Sequence, residues 1–458
     1  MPGLVRALGR RDLVGILVNT MVGSGMMAAP AKVFGLAHGW SFAVLGLSAL
    51  VIIPMIVCFA DLGSRFSGTG GPYLYARESL PGWMAFCAGW LLWVSQVFST
   101  AALTNLLLTY LAGFLPALGG GLPRAALMLL FGALVTTITL RGVRGSVRTS
   151  NVMVVLKVSF VLAFVAVGSV FVHPDHFVAR TPPLAPATLA QAVMIYIFAY
   201  AGFERAGVIA GEARTPREDV PWALFIAVAA ATAAYAGVLL VCAGVLDNPS
   251  ATDRPLAEVG RQLFGPVGAV AVSIGAVTVL VGTILVTMVA TPRMLLAMAD
   301  QGQAPAFLGA IHPSWRTPHV AIGISCTLTF AFAIFGDLLH NLTFSTAARV
   351  LCYILCCVGL WRLSRRADAA PALFRLPGRS LIAVASAAIF LLVLVVGATK
   401  ELPALGAALA VGLVLFAFTR LRRSAGGGAV QPVVAESDGG CAQDRTVDPL
   451  GVNEVLSR

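Results

Sequence analysis

The sequence predicts an all-α membrane protein with twelve transmembrane helices, and three observations carry that prediction. Of 458 residues, 58% are apolar and 11% charged, and the mean hydropathy is +0.89, far above that of a soluble globular chain. Apolar runs punctuated by proline, glycine and arginine fall near 12–36, 40–63, 82–115, 123–140, 149–172, 187–211, 220–246, 266–298, 318–339, 344–363, 380–398 and 402–420. A spanning helix needs about 20 apolar residues, so twelve take roughly 240 to 300 and leave no room for a large soluble catalytic domain. With the N-terminus in the cytoplasm, the inner segments, from Arg6, Arg10 and Arg11 to Arg420, Arg422 and Arg423, hold nineteen Lys and Arg. The outer segments hold six, Lys32, Arg124, Arg180, Arg254, Arg261 and Lys400. That bias puts both termini inside and makes the number of spans even.

The net charge of +11 and pI of 9.7 do not point to nucleic acid, because the basic residues sit between apolar runs and form no stripe on a polar surface. Seven cysteines (Cys58, Cys87, Cys242, Cys326, Cys352, Cys356 and Cys357) lie in apolar runs and Cys441 in a polar stretch, with no disulfide or zinc spacing. The six histidines fall at helix ends or in loops without metal-ligand spacing. No nucleophile–base pair or phosphate loop is evident, so neither catalytic residues nor a cofactor nor a metal is expected. The first apolar run follows Met1–Arg11, has no small-residue cleavage site and is too long for a signal peptide, so it reads as retained. Residues 424–458 are polar and glycine-rich and read as a disordered cytoplasmic tail. Asn341-Leu342-Thr343 matches a glycosylation sequon near an outer loop, weak evidence on three residues.

Helix 1 carries Gly23-Ser24-Gly25 midway, followed shortly by Pro30, and this combination disfavours a continuous helix near the bilayer centre. Unwound backbone at that depth persists only where it lines a cavity or binds something. The freed amides of Gly23, Ser24 and Gly25 can cradle a carboxylate, and carbonyls around Asn19 to Val22 can accept from an ammonium. The plainer reading is close helix packing through small residues. In helix 5, Lys157 lies roughly 12 Å past the helix start, too deep to snorkel, and an ionisable group inside the membrane is functional by default. Helix 6 repeats the interruption: Phe198-Ala199-Tyr200-Ala201-Gly202-Phe203-Glu204 sets a glycine and a carboxylate inside an apolar run. Two broken helices, five apart, mark a transporter of inverted repeats with a midplane site. Glu204 also fits a plain helix cap, with Arg205 beside it.

Four stretches together resemble the amino acid–polyamine–organocation (APC) superfamily, with its leucine-transporter-like fold. They are Gly23-Ser24-Gly25; Gly70-Gly71-Pro72-Tyr73-Leu74-Tyr75-Ala76-Arg77; Phe198 to Glu204 with Ala210 to Pro221; and Pro292-Arg293 through Met298 to Pro305, ending at Thr317-Pro318. The resemblance implies two inverted five-helix repeats, 12–172 and 187–363, with appended helices in 380–420, a cytoplasmic N-terminus over 1–11 and the tail over 424–458. It implies that the Gly23-Ser24-Gly25 backbone holds a substrate carboxylate and that carbonyls of Met21, Phe198 and Ala201, beside Gly202, hold an α-ammonium. The Phe198 ring falls at the family's gating position, although ordinary packing would also place it there. Ser95, Gln96, Thr100 and Thr287 align with side-chain pocket positions. The resemblance further implies that Lys157 stands where sodium-coupled relatives bind Na⁺, giving sodium-independent transport with protons, and that Glu204 takes part in proton sensing. A permanently charged tether is the plainer role for Lys157.

These residues imply a multi-pass carrier of the plasma (inner) membrane whose partners are a small-molecule substrate (an amino acid or an amine), protons and the lipid bilayer. No nucleic acid is expected, and the oligomeric state is unassigned. The provisional pocket lacks an acid apart from Glu204, which leans toward small or neutral amino acids. An amino acid/amine exchanger, or a non-transporting sensor on the same scaffold, uses the same features.

Overall fold

The computed structural model describes residues 8–68, 70–141, 147–177, 183–375 and 377–425, and the described residues form fifteen α-helices joined by turns and short 3-10 segments. Helix α1 is Arg10–Met21 and α2 Ser24–Ala37, the two halves of the first interval. They are followed by α3 (Ser41–Arg65), the short α4 (Pro72–Ser79), α5 (Gly82–Leu111), α6 (Gly121–Arg141) and α7 (Val147–Ser169). In the second half α8 (Pro186–Tyr200) and α9 (Arg205–Val208) flank another interruption, and α10 (Pro216–Val245), α11 (Pro255–Asp300), α12 (His319–Phe335) and α13 (Leu338–Ser364) follow. Helices α14 (Arg379–Gly397) and α15 (Leu402–Ala425) complete the chain. Among the described residues nine helical segments are long and apolar enough to cross a membrane, and two shorter apolar helices are Val155–Ser169 and His319–Phe335.

The burial pattern is that of a membrane protein. Leu129, Leu130 and Leu134 on α6, Val155 and Leu156 on α7, and Leu391 and Leu392 on α14 are exposed. Serine, threonine and ionisable side chains lie inside, among them Ser95, Thr100, Lys157, Glu204 and Arg349. Lipid is as apolar as leucine, so only the polar groups must be enclosed. Helix α5 is buried along nearly its whole length and packs against α13, α11 and α12, which makes it the central post of the bundle.

On the side where the chain begins, Arg10 pairs with Asp219 at 2.6 Å and with Glu218 at 3.1 Å, and Leu8 forms a parallel bridge with Ala213. These contacts pin the start of α1 to the start of α10. Asp61 pairs with Arg65 at 2.5 Å, both side chains being nearly enclosed.

Three boundaries differ from expectation. Residues 72–79 form a helix that the arginine and glutamate within it disguise, and 255–264 are helical up to a kink at Phe264 and Gly265. Helix α13 starts at Leu338, where the Asp337 side chain accepts the His340 amide. This corrects the sequon: Asn341 is fully buried in the first turn of α13 and donates to the Phe332 carbonyl at 3.0 Å, out of reach of glycosylation. Residues 426–458, most of the expected tail, and residues 1–7 at the expected cytoplasmic N-terminus lie outside the described residues.

Candidate functional site

Both expected interruptions exist, and they meet. Helix α1 stops at Met21 and α2 restarts at Ser24, so the amides of the first α2 turn have no carbonyl partner within their own helix. Helix α8 stops at Tyr200, and Gly202 adopts φ +119°, a conformation that a side chain strongly disfavours. A Cβ on Gly202 would also press on Thr20, whose hydroxyl lies 3.3 Å from the Gly202 carbonyl oxygen. Gly25 is the tighter contact, because a Cβ there would overlap the Cα and Cβ of Ala199. The two glycines let the broken segments touch backbone to backbone.

Tyr235 of α10 joins them. Its buried hydroxyl lies 2.6 Å from both the Met21 and the Ala199 carbonyl oxygens and donates to one at a time. Nothing in the sequence reading singled it out; a hydroxyl-bearing aromatic amid alanines in mid-helix was the available signal. Tyr235→Phe removes the shared donor and is expected to cost about 1–3 kcal/mol in thermal unfolding, the penalty for leaving a buried acceptor unpaired. A melting curve of the purified variant against wild type checks this.

Next to the interruptions lies a cavity of about 40 Å³ lined by Met21, Gln96, Phe198, Ala201, Gly202, Glu204 and Thr287, all singled out from the sequence, and also by Thr20, Ser99, Thr283, Arg205 and Arg349. That is more than the roughly 10–15 Å³ that one ordered water needs, so the cavity is roomy enough to be wet. Five other residues sit elsewhere. Gly25 packs on Ala199, and a Cβ on Gly23 would stand 3.8 Å from both Lys157 Nζ and Thr283 Oγ1. Ser24 opens α2 at its backbone. The Thr100 hydroxyl donates to the Gln96 carbonyl at 2.8 Å, and Ser95 accepts from Arg349 Nε at 3.0 Å while its hydroxyl lies 3.2 Å from that of Ser345.

Lys157 is enclosed, 5% exposed although its neighbour Leu156 faces outward. Its ammonium donates to the Asn19 carbonyl at 2.7 Å and to Thr283 Oγ1 at 3.2 Å, tying α7 to the end of α1 and to α11. Glu204 does not pair with its neighbour in sequence. One oxygen, Oε2, accepts from the Gly202 amide and from the Tyr353 hydroxyl, each at 2.8 Å, and Oε1 lies 3.9 Å from Arg349 Nη1. The carboxylate therefore fastens the interruption between α8 and α9 to α13. Arg205 turns the other way and donates to Thr287 Oγ1 at 3.1 Å.

A helical, multi-pass membrane protein with two interrupted helices crossing beside a polar cavity is a solute carrier by architecture. The family model described as amino acid permease matches residues 8–418, and the chain belongs to that family, within the APC superfamily. It is similar to a methylthioribose transporter of Bacillus subtilis, 27% identical over 85% of this chain and 87% of the relative. A branched-chain amino acid permease of the same organism is 26% identical over 83% and 85% of the two chains. The chloroplastic cationic amino acid transporter 9 of Arabidopsis thaliana is 29% identical over 68% and 58%. These relatives are carriers, and the chain is a permease rather than an enzyme.

Proposed function

We propose that the chain is a secondary active transporter that moves an amino acid by alternating access, coupled to protons and independent of sodium. The observation that carries the reading is the meeting of the two interrupted helices, Tyr235 between them, at the wall of the polar cavity. In this reading α1 with α2 and α8 with α9 each make one crossing, and with α3, α5, α6, α7 and α10 to α15 the chain crosses twelve times. Residues 12–172 and 187–363 are the inverted repeats, 380–420 the appended helices, and both termini face the cytoplasm from the plasma membrane.

The substrate ammonium binds at the carbonyls of Met21, Phe198 and Ala201, and the α-carboxylate at the amides of Gly23, Ser24 and Gly25, where the dipole of α2 favours negative charge. Gln96 and Thr287 line the side-chain pocket, Ser95 and Thr100 support it from α5, and the Phe198 ring closes over it. Lys157 supplies a positive charge between α1 and α11, where a sodium ion would otherwise bind. Lysine can exchange that proton and arginine cannot, so Lys157 and Glu204 are the coupling groups.

The relatives' names span a sugar thioether, branched-chain and cationic amino acids, so the cavity's own residues must select the cargo. The test is uptake of labelled alanine, serine, glutamate, arginine and putrescine into liposomes holding the full chain, with choline replacing sodium. Uptake of at least one amino acid that an inward proton gradient accelerates is the expected result. Flux that requires preloaded substrate would make the protein an exchanger, and binding without flux would make it a sensor.

A further inference from the structure

The cavity is richer in positive charge than a carrier of neutral amino acids requires. Two guanidinium groups line it, Arg205 from α9 and Arg349 from α13, against the single carboxylate of Glu204. Arg349 is 3% exposed and stands at 3.9 Å from Glu204, so these two charges offset each other. Arg205 has no such partner: among the described residues no carboxylate lies within ion-pair distance of it, and its one side-chain hydrogen bond goes to Thr287. The guanidinium has five donors in a fixed fork, most of them unused here. Lys157 stands behind Thr283 on the same wall and adds to the excess.

We propose that the substrate is an amino acid with an acidic side chain, whose distal carboxylate is received by the guanidinium of Arg205. This rests on the transporter reading above. A zwitterion brings no net charge and would leave Arg205 uncompensated in a site that closes away from water, whereas a substrate of net charge −1 balances it. The planar fork of arginine matches a carboxylate with two parallel hydrogen bonds, and Gln96 and Thr287 offer further polar contacts beside it. A cationic amino acid or a diamine meets two arginines and is rejected by repulsion as well as by lack of contacts.

The test measures uptake of labelled glutamate, aspartate, glutamine and leucine by the full chain in sodium-free liposomes, with each unlabelled compound, arginine and putrescine as competitors. Glutamate or aspartate is expected to enter about tenfold or more faster than glutamine, with arginine and putrescine failing to compete. Arg205→Gln should lower the glutamate-to-glutamine uptake ratio by about tenfold, and Arg205→Lys should retain part of it. Entry of glutamine or leucine that acidic amino acids do not displace overturns the proposal and leaves the transporter reading standing. Failure of every amino acid to enter or compete overturns both. An unchanged ratio in a monodisperse Arg205→Gln protein overturns the role of Arg205, and if that variant does not fold, the wild-type preference decides the substrate class and Arg205→Lys the residue.

Discussion

Replacing Lys157 with methionine is expected to reduce uptake by roughly 100-fold, which corresponds to about 3 kcal/mol. Methionine keeps much of the side-chain volume and removes the charge. The Asn19 carbonyl then loses its donor one turn before the interruption of helix 1, at a depth where an unpaired carbonyl costs several kcal/mol. Thr283 loses its contact at the same time, so α11 is no longer held to α7 through this group. Initial rates in liposomes, alongside a thermal melt, separate the two consequences. A purely structural tether predicts a lower melting temperature with transport lost in proportion, and a coupling group predicts loss of the response to a proton gradient even well below the melting temperature. Uptake within about twofold of wild type would remove Lys157 from the mechanism.

Gly25→Val is expected to have an effect of similar size for a different reason. Its Cβ would overlap the Cα and Cβ of Ala199, neither of which can rotate away, so α2 must retreat from α8. Overpacking of this kind costs about 1–3 kcal/mol. The loss of transport should exceed what the loss of stability explains, because the contact lies beside the cavity and holds the two interruptions together. Adding Ala199→Gly removes the overlap with the Ala199 methyl carbon and leaves the overlap with its Cα, so it is expected to restore only a small part of the activity. Additive defects in the double variant would instead mean that the two residues act separately.

Much of this was readable from the chain. Apolar periods and arginine punctuation located the helices because lipid demands length and hydrophobicity, and Gly23-Ser24-Gly25 and Gly202 marked the interruptions because glycine relaxes the backbone there. Lys157 stood out as a charge deep in an apolar run. Arg349, buried as deeply, is legible only once the start of its helix is known. A start for α13 near residue 344 put Arg349 close to a helix end, where charge is cheap, whereas the true start at Leu338 sets it about three turns inside. The sequon at Asn341, near an expected outer loop, lies instead inside the first turn of α13, with the Asn341 amide on the Phe332 carbonyl. Sequence adjacency sets Arg205 beside Glu204, yet successive residues in a tight turn point apart, and Tyr353 and Arg349, distant in sequence, take the carboxylate. Local pattern can flag a residue such as Tyr235 in a run of alanines, but it does not name its distant partners Met21 and Ala199.

The substrate, in the proposed mechanism, binds in the cavity beside the interrupted helices. Gln96 lines that cavity, so Gln96→Cys places a thiol there. The decisive measurement is the rate at which a small, membrane-permeant maleimide labels that thiol in liposomes, with wild-type labelling subtracted, as the transported amino acid is added. Labelling is expected to slow along the same concentration curve that describes uptake by the variant. A labelling rate unchanged at concentrations that saturate uptake would place the substrate elsewhere in the molecule.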